Sequence, residues 1–213
     1  SAEDKRPFGT KKDVYASGYQ WTTHSIRPKT ITDRDFRVTI GGPDCTQPYE
    51  ASLYNISAMS FGALSANAIL ALNKGAKAGG FAHDTGEGGI SRYHREAGGD
   101  LIYQVASGYF GCRNDDGSFS PKKFAAIAAD PQIKMIELKL SQGAKPGHGG
   151  MLPASKISPE IAEARGIPMG IDCISPAAHS TFSTPIGLMQ FIGQLRELSG
   201  GKPVGFKLCI GHR

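Results

Sequence analysis

The sequence is short of the features that mark several large protein classes. It holds one tryptophan and four cysteines, Cys45, Cys112, Cys173 and Cys209. Their long, irregular spacings match no zinc or iron–sulfur ligand set, so no metal site is expected and free thiols are the default. No apolar run approaches the ~18 residues of a membrane span, and no signal peptide is visible. A cytoplasmic protein is the expectation. Charge of one sign is also scarce, with 24 Lys and Arg against 19 Asp and Glu, a net charge of +5. No dense basic stripe is interleaved with aromatics, which argues against nucleic acid. Mild basicity suits anionic small molecules instead. No GxxxxGK[ST] match and no GxGxxG after a strand are present, so neither a P-loop nor a Rossmann nucleotide site is indicated.

What the sequence has in excess is glycine, 28 of 213 residues, about twice the usual ~7% share. The glycines form no repeat and cluster at the ends of apolar runs, as ligand-facing loops would. The clearest case is KLSQGAKPGHGGMLP at 139–153, directly after the apolar run 133–140. Its Lys139, Gln142 and Lys145 offer two cations and a two-sided amide among glycines that let a backbone approach a ligand closely.

Taken in order, residues 1–50 are polar and irregular, punctuated by Tyr15, Tyr19 and Trp21. They read as an N-terminal arm that packs on a larger body, with a short strand near 37–40. From residue 51 the pattern is strand, loop, helix, repeated. Strands are expected at 53–59, 80–83, 101–106, 133–140, 171–174 and 204–210. Helices are expected to start at Ser65, Ser120-Pro121, Ser158-Pro159 and Thr184-Pro185, because a capping hydroxyl followed by proline is a strong start signal. Such alternation implies parallel strands. Polar loops after every strand favour a (β/α)8 barrel of the TIM type over a doubly wound sheet, which gathers its ligand loops at one switch point. Only about six of the eight strands are found, so residues 51–213 read as an incomplete barrel. An open barrel edge would favour self-association into a homo-oligomer.

If the strands are parallel, their carboxyl ends converge on one rim. That rim gathers Ala58, Met59 and Ser60, then Asp84, Thr85 and Glu87, then Gln104 and Ser107. It also gathers Lys139, Gln142 and Lys145, then Ser175 and His179, then Lys207. Three lysines at one pocket imply an anionic ligand or intermediate, and a reduced flavin, negative near N1 and O2, is one such ligand. Carboxylate or phosphate ligands suit the same charges. Asp84 and Glu87 read either as an acid/base pair or as turn formers, and His83 and His148 either as proton carriers or as structural residues. Lys139 and Lys207 are harder to explain structurally. Each sits two to three residues inside the end of an apolar strand, where an unpaired charge is costly.

The stretches ISAMSFGALS at 56–65, DTGEGG at 84–89, KLSQGAKPGHGG at 139–150 and DCISP at 172–176 resemble the FMN-binding domain of glutamate synthase. FAHDTGEGGIS, SGYFGCR and GFKLCIGHR resemble the stand-alone FMN-binding glutamate synthase-like proteins. The resemblance runs from about Phe8 onward. It implies a (β/α)8 barrel that binds FMN at its carboxyl face, and an FMN-dependent oxidoreductase that reductively aminates a 2-oxo acid such as 2-oxoglutarate. By motif position it implies that Ala58, Met59, Ser60, Thr85, Gln104 and Lys207 contact the cofactor. Gln142, Lys145 and Ser175 fall on the substrate side, and Lys139 and Lys207 are the candidate catalytic residues. The chain departs from the family pattern at Asp84, usually Asn, at His148, usually Glu, and at His179-Ser180-Thr181, which replaces HHD. It contains no amidotransferase nucleophile and no 3Fe–4S cysteine triplet. The last two barrel strands, which hold the FMN phosphate in such barrels, are also not found. The expectation is therefore a part of a barrel that binds FMN weakly or not at all by itself. The alternative is a non-catalytic barrel fragment that self-associates or needs a complementing C-terminal part.

Overall fold

The structure is a computed structural model and describes residues 13–32, 36–143 and 147–210. The chain divides into two compact units, Ser1–Arg34 and Asp35–Arg213. In the first, a turn closes on itself through Ala16 N–H to Asp13 O and Tyr19 N–H to Ala16 O, and the rings of Tyr19 and Trp21 lie 6.2 Å apart.

The second unit is mixed α/β. Its elements are β1 (Arg37–Ile40), β2 (Tyr49–Ser52), α1 (Ala66–Gly79), β3 (His83–Asp84), α2 (Arg92–Arg95), β4 (Leu101–Val105), α3 (Pro121–Ala128) and β5 (Ile133–Lys139). They continue with β6 (Met151–Leu152), α4 (Pro159–Arg165), β7 (Cys173–Ile174), α5 (Pro185–Leu198) and β8 (Val204–Lys207). The four expected helix starts are found. Ser65, Ser120, Ser158 and Thr184 each turn a hydroxyl back onto a first-turn amide, and the last three are followed by proline at the first helical position.

The central sheet is parallel, in the order β3-β4-β5-β8. Strand alternation sorts its residues onto two faces. Leu101, Tyr103, Val105, Ile136, Leu138 and Val204 point outward and are buried against Phe124 of α3 and Phe191, Ile192 and Leu195 of α5. The other face starts apolar and ends charged. Near the amino ends of the strands, Ile102 and Met135 pack against Tyr49 and Ala51 of the antiparallel β1–β2 hairpin. The hairpin is fixed there by Tyr49 Oη donating to Asp100 (2.9 Å) and an Arg37 guanidinium N–H donating to Gly80 O (2.8 Å). Further along, the same face carries Gln104, Glu137, Lys139 and Lys207.

Two strand expectations change. Residues 53–59 are not a strand; only Ile56 bridges, in parallel, to His83. Residues 171–174 do not enter the parallel sheet. Cys173 and Ile174 instead pair antiparallel with Met151 and Leu152, and β5 pairs directly with β8. A central strand needs apolar cover on both faces, whereas Ile171 and Ile174 are both 64% exposed and Asp172 turns its carboxylate to Ala154 N–H. Residues 141–183 are therefore an insertion between β5 and α5. Its helix α4 has a core of its own with Phe61, Ile69 and Phe110. Among the described residues the parallel array is one bridge and four strands, not six, and it does not close into a barrel.

Candidate functional site

The carboxyl ends of Ile56, β3, β4, β5 and β8 lie side by side, and most of the predicted rim residues follow from that. The segment 58–60 hangs from the end of β3, with Met59 N–H donating to Asp84 O (3.1 Å). Asp84 takes Gly86 N–H at 2.8 Å. Thr85 is fully buried, and its hydroxyl is spent on backbone: it accepts from Gln104 N–H and donates to Gly86 O, both at 3.1 Å. Thr85 thus ties the ends of β3 and β4 together.

Register then fixes the charged residues. Gln104, Glu137 and Gly205 stand abreast on β4, β5 and β8, and Lys139 and Lys207 stand abreast one pleat further on. The Gln104 amide donates to Glu137 (2.6 Å). Two adjacent ammonium groups would repel, and acids stand near both. Lys139 Nζ lies 3.2 Å from a Glu87 carboxylate oxygen. Lys207 acts on Asp84, which also faces Glu137. Burial, and next the charge of Glu137, push the Asp84 carboxyl well above the usual range, against the opposing pull of Gly86 N–H and Lys207. Asp84, only 4% exposed, is thus biased toward its neutral form beside Glu137.

The linkage is explicit in sign. The folded pKa of Asp84 lies above its unfolded value, so the fold keeps a proton that the unfolded chain releases. Stability from this group is complete below the unfolded pKa near 3.8 and falls as pH rises toward the folded one. Asp84→Asn keeps a neutral donor toward Glu137 and removes this dependence. In urea melts from pH 5 to 9, its stability relative to wild type is expected to grow with pH. Parallel curves for the two proteins would exclude the upward shift of Asp84.

A cover built by the insertion closes over this rim. Ser175 Oγ accepts from Gly150 N–H (2.8 Å), and Ser107 donates to the Pro176 carbonyl. His179 joins the cover to β5. Its Nε2 donates to Lys139 O (2.8 Å), and its Nδ1 accepts from Tyr109 Oη (3.2 Å). Burial lowers the His179 pKa, partly offset by its bond to the Lys139 carbonyl, so the ring is neutral. Between rim and cover, Glu87, Ser107, Lys139, Gln142, His148 and Ser175 line a cavity of about 20 Å³. Larger cavities, of about 400 to 580 Å³, lie away from this chemistry, beside α2 and α4, at the end of α3 and along the hairpin.

The structure thus brings together Ala58, Met59, Ser60, Thr85, Gln104, Lys139 and Lys207 at the strand ends, and Gln142 and Ser175 beside the cover. Lys145 lies outside the described residues. Sequence reasoning missed Glu137 and His94. Glu137 was detectable as a charge two residues before Lys139 in an apolar strand, hence on the same face. His94 carried a weaker signal, three residues after the capping Ser91. Among the described residues no group of three or more His, Cys, Asp or Glu is arranged to hold a metal, and no helix is long and apolar enough to cross a membrane.

A parallel α/β sheet with its acids, amide and ammonium groups gathered at the strand ends has the frame of a small-molecule enzyme site. Residues 43–213 match the conserved region in glutamate synthase. The chain belongs to the glutamate synthase family. It is 44% identical over 175 residues to the glutamate synthase large subunit-like protein YerD of Bacillus subtilis (strain 168), covering 81% of this chain and 33% of that protein. It is 41% identical over 157 residues to an archaeal-type glutamate synthase (NADPH) of Thermotoga maritima, covering 73% and 28%. It is 36% identical to a glutamate synthase large subunit-like protein of Rhizobium meliloti (strain 1021), covering 96% and 45%. The chain spans less than half the length of these relatives.

Proposed function

We propose that this chain carries the cofactor and acid-binding rim of an FMN-dependent, glutamate synthase-type oxidoreductase that reductively aminates a 2-oxo acid, with 2-oxoglutarate the first candidate. One observation carries the reading. Lys139 and Lys207 stand in register on the inner face of the sheet, Lys139 paired with Glu87 and Lys207 close enough to act on the buried Asp84. That arrangement separates two anion-directed cations that the strands would otherwise present as one patch.

The residues fit a flavin in kind. Lys207 would supply a cation for the negative charge of its reduced form, Gln104 would back the site through its bond to Glu137, and 58–60 would offer a strip of backbone at the strand ends. The fit also separates two positions. The cavity under the cover holds about one water, so a flavin ring belongs outside it, beside Lys207 and 58–60, with Gln104 buried behind them. Lys139, Gln142 and Ser175 supply the cation and polar groups for an acid, which needs more room than this cavity gives.

FMN, when bound, supplies the hydride that reduces a carbon–nitrogen double bond. The chain's own work is electrostatic. Burial beside Glu137 favours the neutral form of Asp84, which lessens the negative charge set against Lys207. Lys139 exchanges its Glu87 partner for the substrate carboxylate, a charge-for-charge replacement that avoids stranding a buried ammonium.

Titration of the isotope-labelled protein with FMN is expected to shift the amides of Met59, Ser60, Gln104 and Lys207. Lys207→Met is expected to weaken that response roughly tenfold, the usual scale of one charge-assisted contact. Lys139→Met is expected to leave FMN binding in place and abolish the shifts that a 2-oxo acid adds near Gln142 and Ser175. Shifts confined to other surfaces, or an unchanged response in Lys207→Met, would overturn the assignment.

A further inference from the structure

His94 lies on α2, off the rim, and is fully buried with both ring nitrogens engaged. Nε2 stands 3.0 Å from Met59 O. A carbonyl only accepts, so Nε2 carries the hydrogen. Nδ1 is then a bare acceptor, and it is met by Ser91 N–H at 3.2 Å and by Ser91 Oγ at 2.9 Å. The tautomer is thereby fixed from two sides.

The consequence falls on Met59. Its N–H is taken by Asp84 O, and its C=O by His94. One residue of the strip is therefore held at both backbone groups, by the end of β3 on one side and by α2 on the other. Gly86 closes a third side, since a Cβ there would stand 2.6 Å from Ser60 N. The ring of His83, 5.3 Å from that of His94, finds no hydrogen-bond partner among the described residues and serves as a wall. Capping Ser91 does not require a histidine; an asparagine amide reaches as far as Nδ1. What the ring adds is the span from Ser91 on one edge to Met59 on the other.

We propose that His94 is a positioning residue, a latch that holds the Met59 carbonyl and with it the 58–60 strip in the orientation that receives the flavin ring. The role rests on the flavin reading above. It acts through backbone, and His94 itself touches no ligand.

Three substitutions separate the latch from simple capping. His94→Gln places an amide N–H where Nε2 stood and keeps the bond to Met59. His94→Asn keeps an acceptor near Ser91 and gives up Met59. Ser91→Ala removes the capping hydroxyl and leaves the latch. The readouts are hydrogen exchange of the Met59 amide, the Ser60 amide shift, which reports the peptide unit containing Met59 C=O, and FMN affinity. In His94→Asn, Met59 exchange is expected to rise and FMN affinity to fall, each roughly five- to tenfold, the size of one lost hydrogen bond. In His94→Gln and Ser91→Ala both are expected to stay within about twofold of wild type. If the Asn and Gln variants behave alike, or if Ser91→Ala loosens Met59 as much as His94→Asn, the latch is excluded. Should His94→Asn fail to fold, a rise in Met59 exchange beyond about twofold in His94→Gln or Ser91→Ala excludes the latch, and wild-type-like exchange in both supports it. If wild type gives no FMN response, the flavin reading fails, while Met59 exchange and the Ser60 shift still decide the latch.

Discussion

Gly86→Ala is expected to lower the unfolding free energy by roughly 2–5 kcal/mol, on two counts. Gly86 has φ +67°, a left-handed conformation that costs an L-residue about 1–2 kcal/mol. A Cβ there would also lie 2.6 Å from Ser60 N and 3.0 Å from Met59 C, both backbone atoms that cannot rotate away. Overpacking of that kind adds about 1–3 kcal/mol. For a chain of this length the loss corresponds to a melting shift of roughly 5–15 °C. Gly166→Ala is the control. Its φ is +66°, but nothing lies within 4 Å of the added Cβ, so it isolates the backbone term. If Gly86→Ala melts no lower than Gly166→Ala, the close approach of the DTGEGG loop to the 58–60 strip is not as described.

The second large effect is on acid stability. Burial lowers His83 to about 4, helped by the charge of His94, and burial lowers His94 to about 4, against the bond to Met59 O. Both unfolded values lie near 6.5. Below that pH the unfolded chain takes up protons that the fold refuses, so the unfolded state binds more protons and stability falls with falling pH. The contribution is complete above pH 6.5, is lost through the window from 6.5 to 4, and is flat below. The limiting size is about 3 kcal/mol per histidine, and local opening reduces it to roughly 1–2 kcal/mol each. Urea melts between pH 7 and 5, where most carboxylates remain ionised, are expected to show this slope. His83→Leu is expected to match or exceed wild type at pH 7, because the His83 ring has no hydrogen-bond partner among the described residues to lose, and to show about half the acid slope. A His83→Leu slope equal to that of wild type would mean the imidazole is not kept neutral by burial.

Local chemistry was the legible part of this sequence. Ser120-Pro121, Ser158-Pro159 and Thr184-Pro185 mark helix starts because a hydroxyl and a proline satisfy or remove first-turn donors wherever they occur. The rim residues could be grouped because parallel strands bring their carboxyl ends to one side. Pairing was not legible. Cys173-Ile174 reads as a strand, but its partner is set by a contact with Met151-Leu152 across twenty residues of loop and helix. Residues 53–59 have strand-like composition, yet only Ile56 finds an edge to join. The same limit applied to the site. Lys139 and Lys207 were recognisable as charges at strand ends, but their assignment to Glu87 and to the Asp84–Glu137 pair depends on register. His94 was hidden because its partner is a main-chain carbonyl, which leaves no side-chain signature.

The insertion at 141–183 has its own small core around Ile157, Ile161 and Cys173, separate from the one that backs the sheet with α3 and α5. That same small core takes in Phe61, Ile69 and Phe110 and packs on Met59, so the cover shares a foundation with the 58–60 strip. Substitutions in it are therefore felt by cover and strip together, while the ladder that aligns Gln104, Glu137 and Lys207 rests on the other core. The rim thus has one half that can be remodelled as a unit and one half that the sheet holds still.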